Sequence, residues 1–176
     1  MLERTKGIAT LAEAWPLVAA EVPRARLVIV GRGAQADLID RLRDDFPGEV
    51  EHVERLLPAE VAARMDAATC LVLPSRSEGL PRVILESFAR GRAVVASRVG
   101  GVGDVIEDGE TGFLVEAGDA EALAAALTRT ISDRELAARL GAAAHDASRR
   151  LQLSADDFAA RVRSLVDRTL AGSRGT

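Results

Sequence analysis

The chain has 176 residues, 48% of them hydrophobic and 28% charged, which suits one domain with a buried core and argues against disorder. Aromatics contribute only 3%, so the core must be built from Ala, Val, Leu and Ile, a composition that favours helices on a parallel sheet over an antiparallel sandwich. A net charge of −4 gives no electrostatic case for nucleic acid or an anionic membrane surface as partner.

Taken in chain order, Ile8, Leu11, Trp15 and Val18 recur at helical spacing. Pro16 lies inside that pattern, where its missing N–H and ring clash predict a kink or an end. Strand-like apolar runs follow at residues 26–31 (RLVIVG), 49–53 (EVEHV), 70–75 (CLVLPS), 93–98 (AVVASR) and 112–116 (GFLVE). Helical patterns separate them, around Leu38 and Leu42 and over residues 58–67, 81–90, 119–131 and 133–148. Unbroken Val/Leu/Ile runs read as strands buried on both faces. The repeated strand–helix order predicts an α/β domain, a Rossmann-like doubly wound parallel sheet with helices on both faces. A last helix is expected over residues 154–170, with Phe158, Val162, Leu165 and Val166 on one side, so residues 1–170 form the domain and 171–176 a tail.

The single cysteine, Cys70, reads as a small buried hydrophobe, and one thiol forms no internal disulfide, which fits a reducing compartment. No apolar run reaches transmembrane length, and the start MLERTKGIAT lacks a signal-peptide core. A cytoplasmic protein is expected.

Ligands of doubly wound sheets bind at the carboxyl ends of the strands, and LVLPSRSEGLPRVILESFARG (residues 71–91) is a strand, a polar loop and a helix at such an end. Pro81 fits the first helical turn and Gly91 the helix end. The N–H groups near Leu80, Arg82 and Val83, with the positive end of the helix dipole, offer an anion seat from which Pro81 removes one donor. Glu78, in the loop, is either stabilised by the dipole or an acceptor for ligand hydroxyls. Glu86, within the helix, has Arg82 and Arg90 each four residues away, so surface pairs worth a few tenths of a kcal/mol are its plain alternative.

Lys6 stands before Gly7 and the first helix, either solvated or facing an anion. Gly31 and Gly33 follow a strand and allow a turn with positive φ or a close backbone approach. They fall short of a full dinucleotide fingerprint, and no acidic residue clearly ends the next strand, so an NAD site is not expected. Gly100 and Gly101 read as a turn or as room for a ligand. His52 and His145 have neither the companions of a catalytic triad nor those of a metal site.

The ordered block PSRSEGLPRVILESFARGRAVVASRVGG resembles the donor-site signature of retaining glycosyltransferases of the GT-B fold, family 4. That signature has two glutamates separated by seven residues, a Pro-Ser before the loop and a Gly after the helix. ARLVIVGRG and VIEDGETGFLVEAGDAEALAAAL are similar to the family as well, so the likeness extends over about residues 2–140. The resemblance implies the C-terminal, donor-binding half of a GT-B fold whose acceptor-binding N-terminal domain is a missing partner.

It also implies roles. Glu78 faces the hydroxyls of the donor sugar, and Glu86 accepts both ribose hydroxyls, a task that suits a carboxylate. Ser77 and the loop from Gly79 through Leu80, Pro81, Arg82 and Val83 lie against sugar and phosphate, and the Gly31–Gly33 loop flanks the nucleotide. Lys6 matches one of two cations on the diphosphate. The family's arginine comes five residues earlier, where this chain has Met1, so Arg4 is the candidate replacement and the chain reads as cut at the linker between domains. HVERLLP (residues 52–58) matches the base-contacting region, with Arg55 in place of a usual glycine, which leaves the base open.

The family expectation is therefore a nucleotide sugar as donor substrate, UDP- or GDP-linked, with a hexose passed to an acceptor hydroxyl. No cofactor is expected; the absence of Asp-x-Asp fits metal-independent chemistry. Lys6 and Glu78 are the catalytic candidates, peripheral membrane contact is left to the other half of such an enzyme, and the isolated chain is expected to be inactive. Two alternatives stay open: another GT-B enzyme such as a nucleotide-sugar epimerase, and a non-catalytic α/β interaction module.

Overall fold

A computed structural model describes residues 3–151 and 155–172. Its elements are α1 (Ile8–Glu21), β1 (Leu27–Val30), α2 (Ala36–Asp45), β2 (Val50–Val53), α3 (Pro58–Ala67), β3 (Cys70–Leu73), α4 (Arg82–Ala89), β4 (Ala93–Ser97), β5 (Gly112–Val115), α5 (Ala120–Ser132), α6 (Arg134–Leu151) and α7 (Ala155–Gly172), with 3₁₀ turns at Arg4–Lys6 and Gly100–Val102. The five expected strands are all present, each one or two residues shorter than its apolar run. Met1, Ser154 and the tail beyond residue 172 lie outside the described residues.

All strand pairing among the described residues is parallel, in two sheets. β1 pairs with β2 (Leu27 opposite Val50), and β3, β4 and β5 pair in that order (Cys70 opposite Ala93, Val94 opposite Gly112). Strand alternation sends neighbouring residues of β4 to opposite helical layers. Val95 joins Trp15, Val18, Leu123 and Leu127 from α1 and α5, together with Leu27 and Ile29 of β1. Val94 and Ala96 join Ile84 and Phe88 of α4 and Ala144 of α6. Helices therefore cover both faces of the β3–β5 ladder, as the composition implied. Small aliphatic residues make up most of the core, with Trp15 and Phe88 the largest fully buried side chains in it.

Three expectations need correction. α1 runs straight through Pro16 instead of ending there. Pro16 lies on the exposed face, where water can serve the carbonyl that loses its donor, while Leu11, Ala14, Trp15 and Val18 keep the opposite face buried. β1 is not buried on both faces: Leu27 and Ile29 are buried, but Val28 and Val30 are 37% and 41% exposed. The helix after β2, α3, buries no residue of its own, so an apolar run was not proof of a two-sided cover. Finally, Pro81 is the residue before α4 (φ −71, ψ 120) and not its first helical residue.

Charged groups hold α3 where apolar burial does not. Arg64 grips both oxygens of Glu51 on β2. Arg90 does the same with Asp66 at 2.8 and 2.7 Å, and Arg92 donates to the Asp66 carbonyl. Helix starts are set by sequence-local acceptors: Asp119 takes the Ala122 N–H, Asp133 the Leu136 N–H, and Glu60 reaches back to the Leu57 N–H. No helix among the described residues is long and apolar enough to cross a membrane.

Candidate functional site

β3 delivers its chain into the loop at the carboxyl end of the sheet. Pro74 and Ser75 are still buried there; Arg76, Ser77, Gly79 and Leu80 are exposed; Glu78 turns back inward. Its carboxylate, only 9% exposed, meets the Lys6 ammonium at 2.7 Å through Oε1. The Ser75 hydroxyl donates to the same oxygen, also at 2.7 Å. Oε2 has no hydrogen-bond partner among the described residues.

Backbone contacts fix this arrangement from two sides. The Arg76 N–H donates to the Thr5 carbonyl at 2.7 Å, which ties the loop to the 3₁₀ turn that carries Lys6. Gly7, with φ 69, lies so close that a Cβ there would come within 1.8 Å of the Pro74 oxygen. On the other side the Gly101 N–H donates to the Gly79 carbonyl at 2.8 Å. Gly100, with φ 49, leaves no space for a Cβ, which would fall 1.8 Å from the Glu78 oxygen. Gly100 and Gly101 thus form a turn, and the room they leave is filled by the backbone of the Glu78 loop. Only glycine satisfies both the left-handed conformation and the contact.

The other candidates occupy the surface. Glu86 is 47% exposed, with Arg82 at 3.9 Å, and Arg90, the second expected partner, pairs with Asp66 instead. At such exposure the Arg82–Glu86 pair is weak. No side chain caps α4, so the N–H groups of Arg82 and Val83 at its first turn are left to other acceptors. Gly31, with φ 141, leaves β1; its N–H donates to the Val53 carbonyl, and its own carbonyl accepts from Nε2 of His52 at 2.8 Å. Gly33 and Arg55 are exposed on the loops after β1 and β2, and Arg4 is exposed and pairs with no described residue.

The structure brings Lys6 and Glu78 together; sequence reasoning did not single out Ser75 and Thr5, which hold this loop, or His52, which fastens the Gly31 loop. The Pro-Ser before the loop was visible; what the serine holds was not. His52 looked like an ordinary strand residue, yet it fastens the glycine loop of the neighbouring strand. His145 likewise bonds through Nδ1 to the Ala89 carbonyl, on the far side from the loop.

Electrostatically the site presents a half-exposed ammonium, a nearly buried carboxylate with one open oxygen, and backbone donors at a helix start. Such a set can take an anion and a hydroxyl-bearing group side by side. Grooves of about 400 Å³ beside Arg26 and Arg43 and of about 510 Å³ beside Pro23 and Ile131 are lined by none of these residues. No cluster of His, Cys, Asp and Glu suited to a metal occurs among the described residues.

The fold and its relatives make this chain a C-terminal domain of the GT-B glycosyltransferase kind. The chain belongs to the glycosyl transferases group 1 family, whose model matches residues 1–133. It is 36% identical over 148 residues to the GDP-mannose-dependent alpha-(1-6)-phosphatidylinositol monomannoside mannosyltransferase of Mycolicibacterium smegmatis, covering 78% of this chain and 38% of that protein. It is 36% identical over 151 residues to the glycogen synthase of Mycobacterium tuberculosis, covering 81% and 35%. Among solved structures, sucrose-phosphate synthase of Thermosynechococcus elongatus superposes with a TM-score of 0.79 at 31% identity, over 97% of this chain and 44% of that one. The C-terminal domain of the group 1 family protein LpcC of Francisella tularensis superposes at 0.75 over 83% of this chain and 79% of its own, with 24% identity, a likeness of fold. The chain spans well under half the length of the curated relatives it matches.

Proposed function

We propose that this chain is the nucleotide-sugar-binding part of a retaining glycosyltransferase that passes a hexose to an acceptor hydroxyl. The observation that carries the reading is the Lys6–Glu78 pair at 2.7 Å, set at a helix start with Glu78 Oε2 open. A diphosphate fits against Lys6 and the free amides of Arg82 and Val83, because an ammonium and oriented N–H groups stabilise spread negative charge. A sugar hydroxyl fits against Oε2, which accepts hydrogen bonds and donates none. Glu86, exposed one turn into α4, remains available for a ribose diol, since its contact with Arg82 at 3.9 Å is easily exchanged.

In the complete enzyme the glycosidic bond to the diphosphate breaks as the acceptor oxygen bonds to the anomeric carbon. Negative charge grows on the departing diphosphate, and Lys6 with the helix start stabilises it there more than in the ground state. Orientation of the acceptor belongs to the rest of the enzyme. The chain alone is therefore expected to bind donor weakly and to transfer nothing at a useful rate.

Calorimetric titration of the chain with UDP-, GDP- and ADP-sugars tests this. One class should bind, and Glu86→Ala should weaken it roughly tenfold, the loss of a two-point contact to a charged group. Unchanged affinity in Glu86→Ala would remove the ribose assignment, and no binding by any donor would remove the reading.

A further inference from the structure

We infer that Ser75 is a positioning residue that keeps Glu78 aimed at the donor sugar when Lys6 is drawn onto the diphosphate. The inference rests on the donor-site reading above. Ser75 is fully buried, so its hydroxyl reaches neither solvent nor a ligand, and among the described residues it serves Oε1 of Glu78 alone, at 2.7 Å. The Lys6 ammonium bonds that same oxygen at 2.7 Å. Two donors on one carboxylate oxygen fix the group and leave the other oxygen without a hydrogen-bond partner among the described residues.

The two donors are not equivalent. Lys6 sits on a flexible four-carbon stem, 37% exposed, and a nearby diphosphate would compete for its charge. Ser75 has one short bond to its backbone, a buried position and no competitor. It follows the buried Pro74, whose carbonyl packs on Gly7, so its backbone is held as well. A carboxylate held by Lys6 alone would be released or rotated once the ammonium turned to phosphate; with Ser75 it keeps its aim. The hydroxyl thus acts on sugar affinity through Glu78 and leaves the nucleotide and diphosphate contacts alone.

The test compares wild type with Ser75→Ala and Ser75→Cys, the latter keeping near-native size with a weak donor. Each is titrated calorimetrically with whichever of UDP-glucose, GDP-mannose or ADP-glucose wild type binds best, and with its bare nucleoside diphosphate. Folding is checked by Trp15 fluorescence on heating. The expected result is a loss of roughly fivefold to tenfold for the nucleotide sugar in Ser75→Ala, the scale of one hydrogen bond to a charged group. The loss should be smaller in Ser75→Cys, and the bare diphosphate should change by less than about twofold. Equal losses for both ligands, or none for either, would overturn the positioning role. A crystal structure of Ser75→Ala with the bare nucleoside diphosphate bound supplies a second arm: a Glu78 carboxylate rotated or spread over several rotamers supports the inference, and one unmoved from its wild-type place overturns it. Failure of the donor-site reading is distinguishable, because wild type itself would then bind no nucleotide sugar.

Discussion

Lys6 and Glu78 stand 72 positions apart in the chain and meet at 2.7 Å, joined by the close seating of the turn before α1 against the loop after β3. Replacing Lys6 by Met should weaken nucleoside diphosphate binding about tenfold, the worth of one charge-assisted contact. Stability should fall by only about 0.5–1 kcal/mol, because Lys6 is more than a third exposed and solvent screens the pair. Thermal melting with and without the diphosphate separates the two effects.

Gly100→Ala should be costly, because its Cβ would lie 1.8 Å from the Glu78 oxygen at a φ of 49. We expect a loss of about 1–3 kcal/mol and a displaced donor loop. Gly103→Ala is the control: φ is −68 and the nearest atom to its Cβ is an Arg98 side-chain carbon at 3.9 Å. Its stability in urea should match wild type. Equal stability of the two variants would contradict the clamping of the Glu78 loop by the Gly100 turn.

Cys70, expected to be buried, is only partly so and packs against the core; loss of hydration at the thiol pushes it up from 9.0 to about 12. At pH 8 the folded chain should therefore react with a thiol reagent about a thousandfold more slowly than the unfolded chain, the ratio set by three pH units of thiolate population. The linkage follows with a definite sign. Below pH 9 both states keep the proton; between pH 9 and about 12 only the unfolded state releases it. The contribution of this group is thus complete below pH 9 and declines as pH rises towards about 12. The stability difference between wild type and Cys70→Ala, read from urea midpoints, should shrink between pH 8 and pH 11. A difference that grows would contradict the burial.

Much of this was legible in the chain, because parallel strands buried by helices leave short aliphatic runs, and Asp119 and Asp133 mark helix starts by accepting from N–H groups three residues on. What misled were features decided by the surroundings. Pro16 is tolerated because its face meets water, and β1 looked doubly buried although α3 is held by Arg64–Glu51 and Arg90–Asp66 more than by apolar contact. In the site, Glu78 and Lys6 were named by residue type and order, but Ser75 as their companion was not. Its partner is fixed by how the loop folds back, which no spacing encodes. Arg90 illustrates the same limit: a helical neighbour of Glu86 by count, it is claimed by Asp66, 24 positions away.

The account stands or falls on where a donor sugar lies. A crystal structure of the chain with its best-binding nucleotide sugar should show the diphosphate on Lys6 and the start of α4. It should also show a sugar hydroxyl within hydrogen-bond distance of Glu78 Oε2, with Ser75 still on Oε1. A donor seated elsewhere, for instance in the groove beside Arg26 and Arg43, with Glu78 engaged only by Lys6 and Ser75, would contradict it.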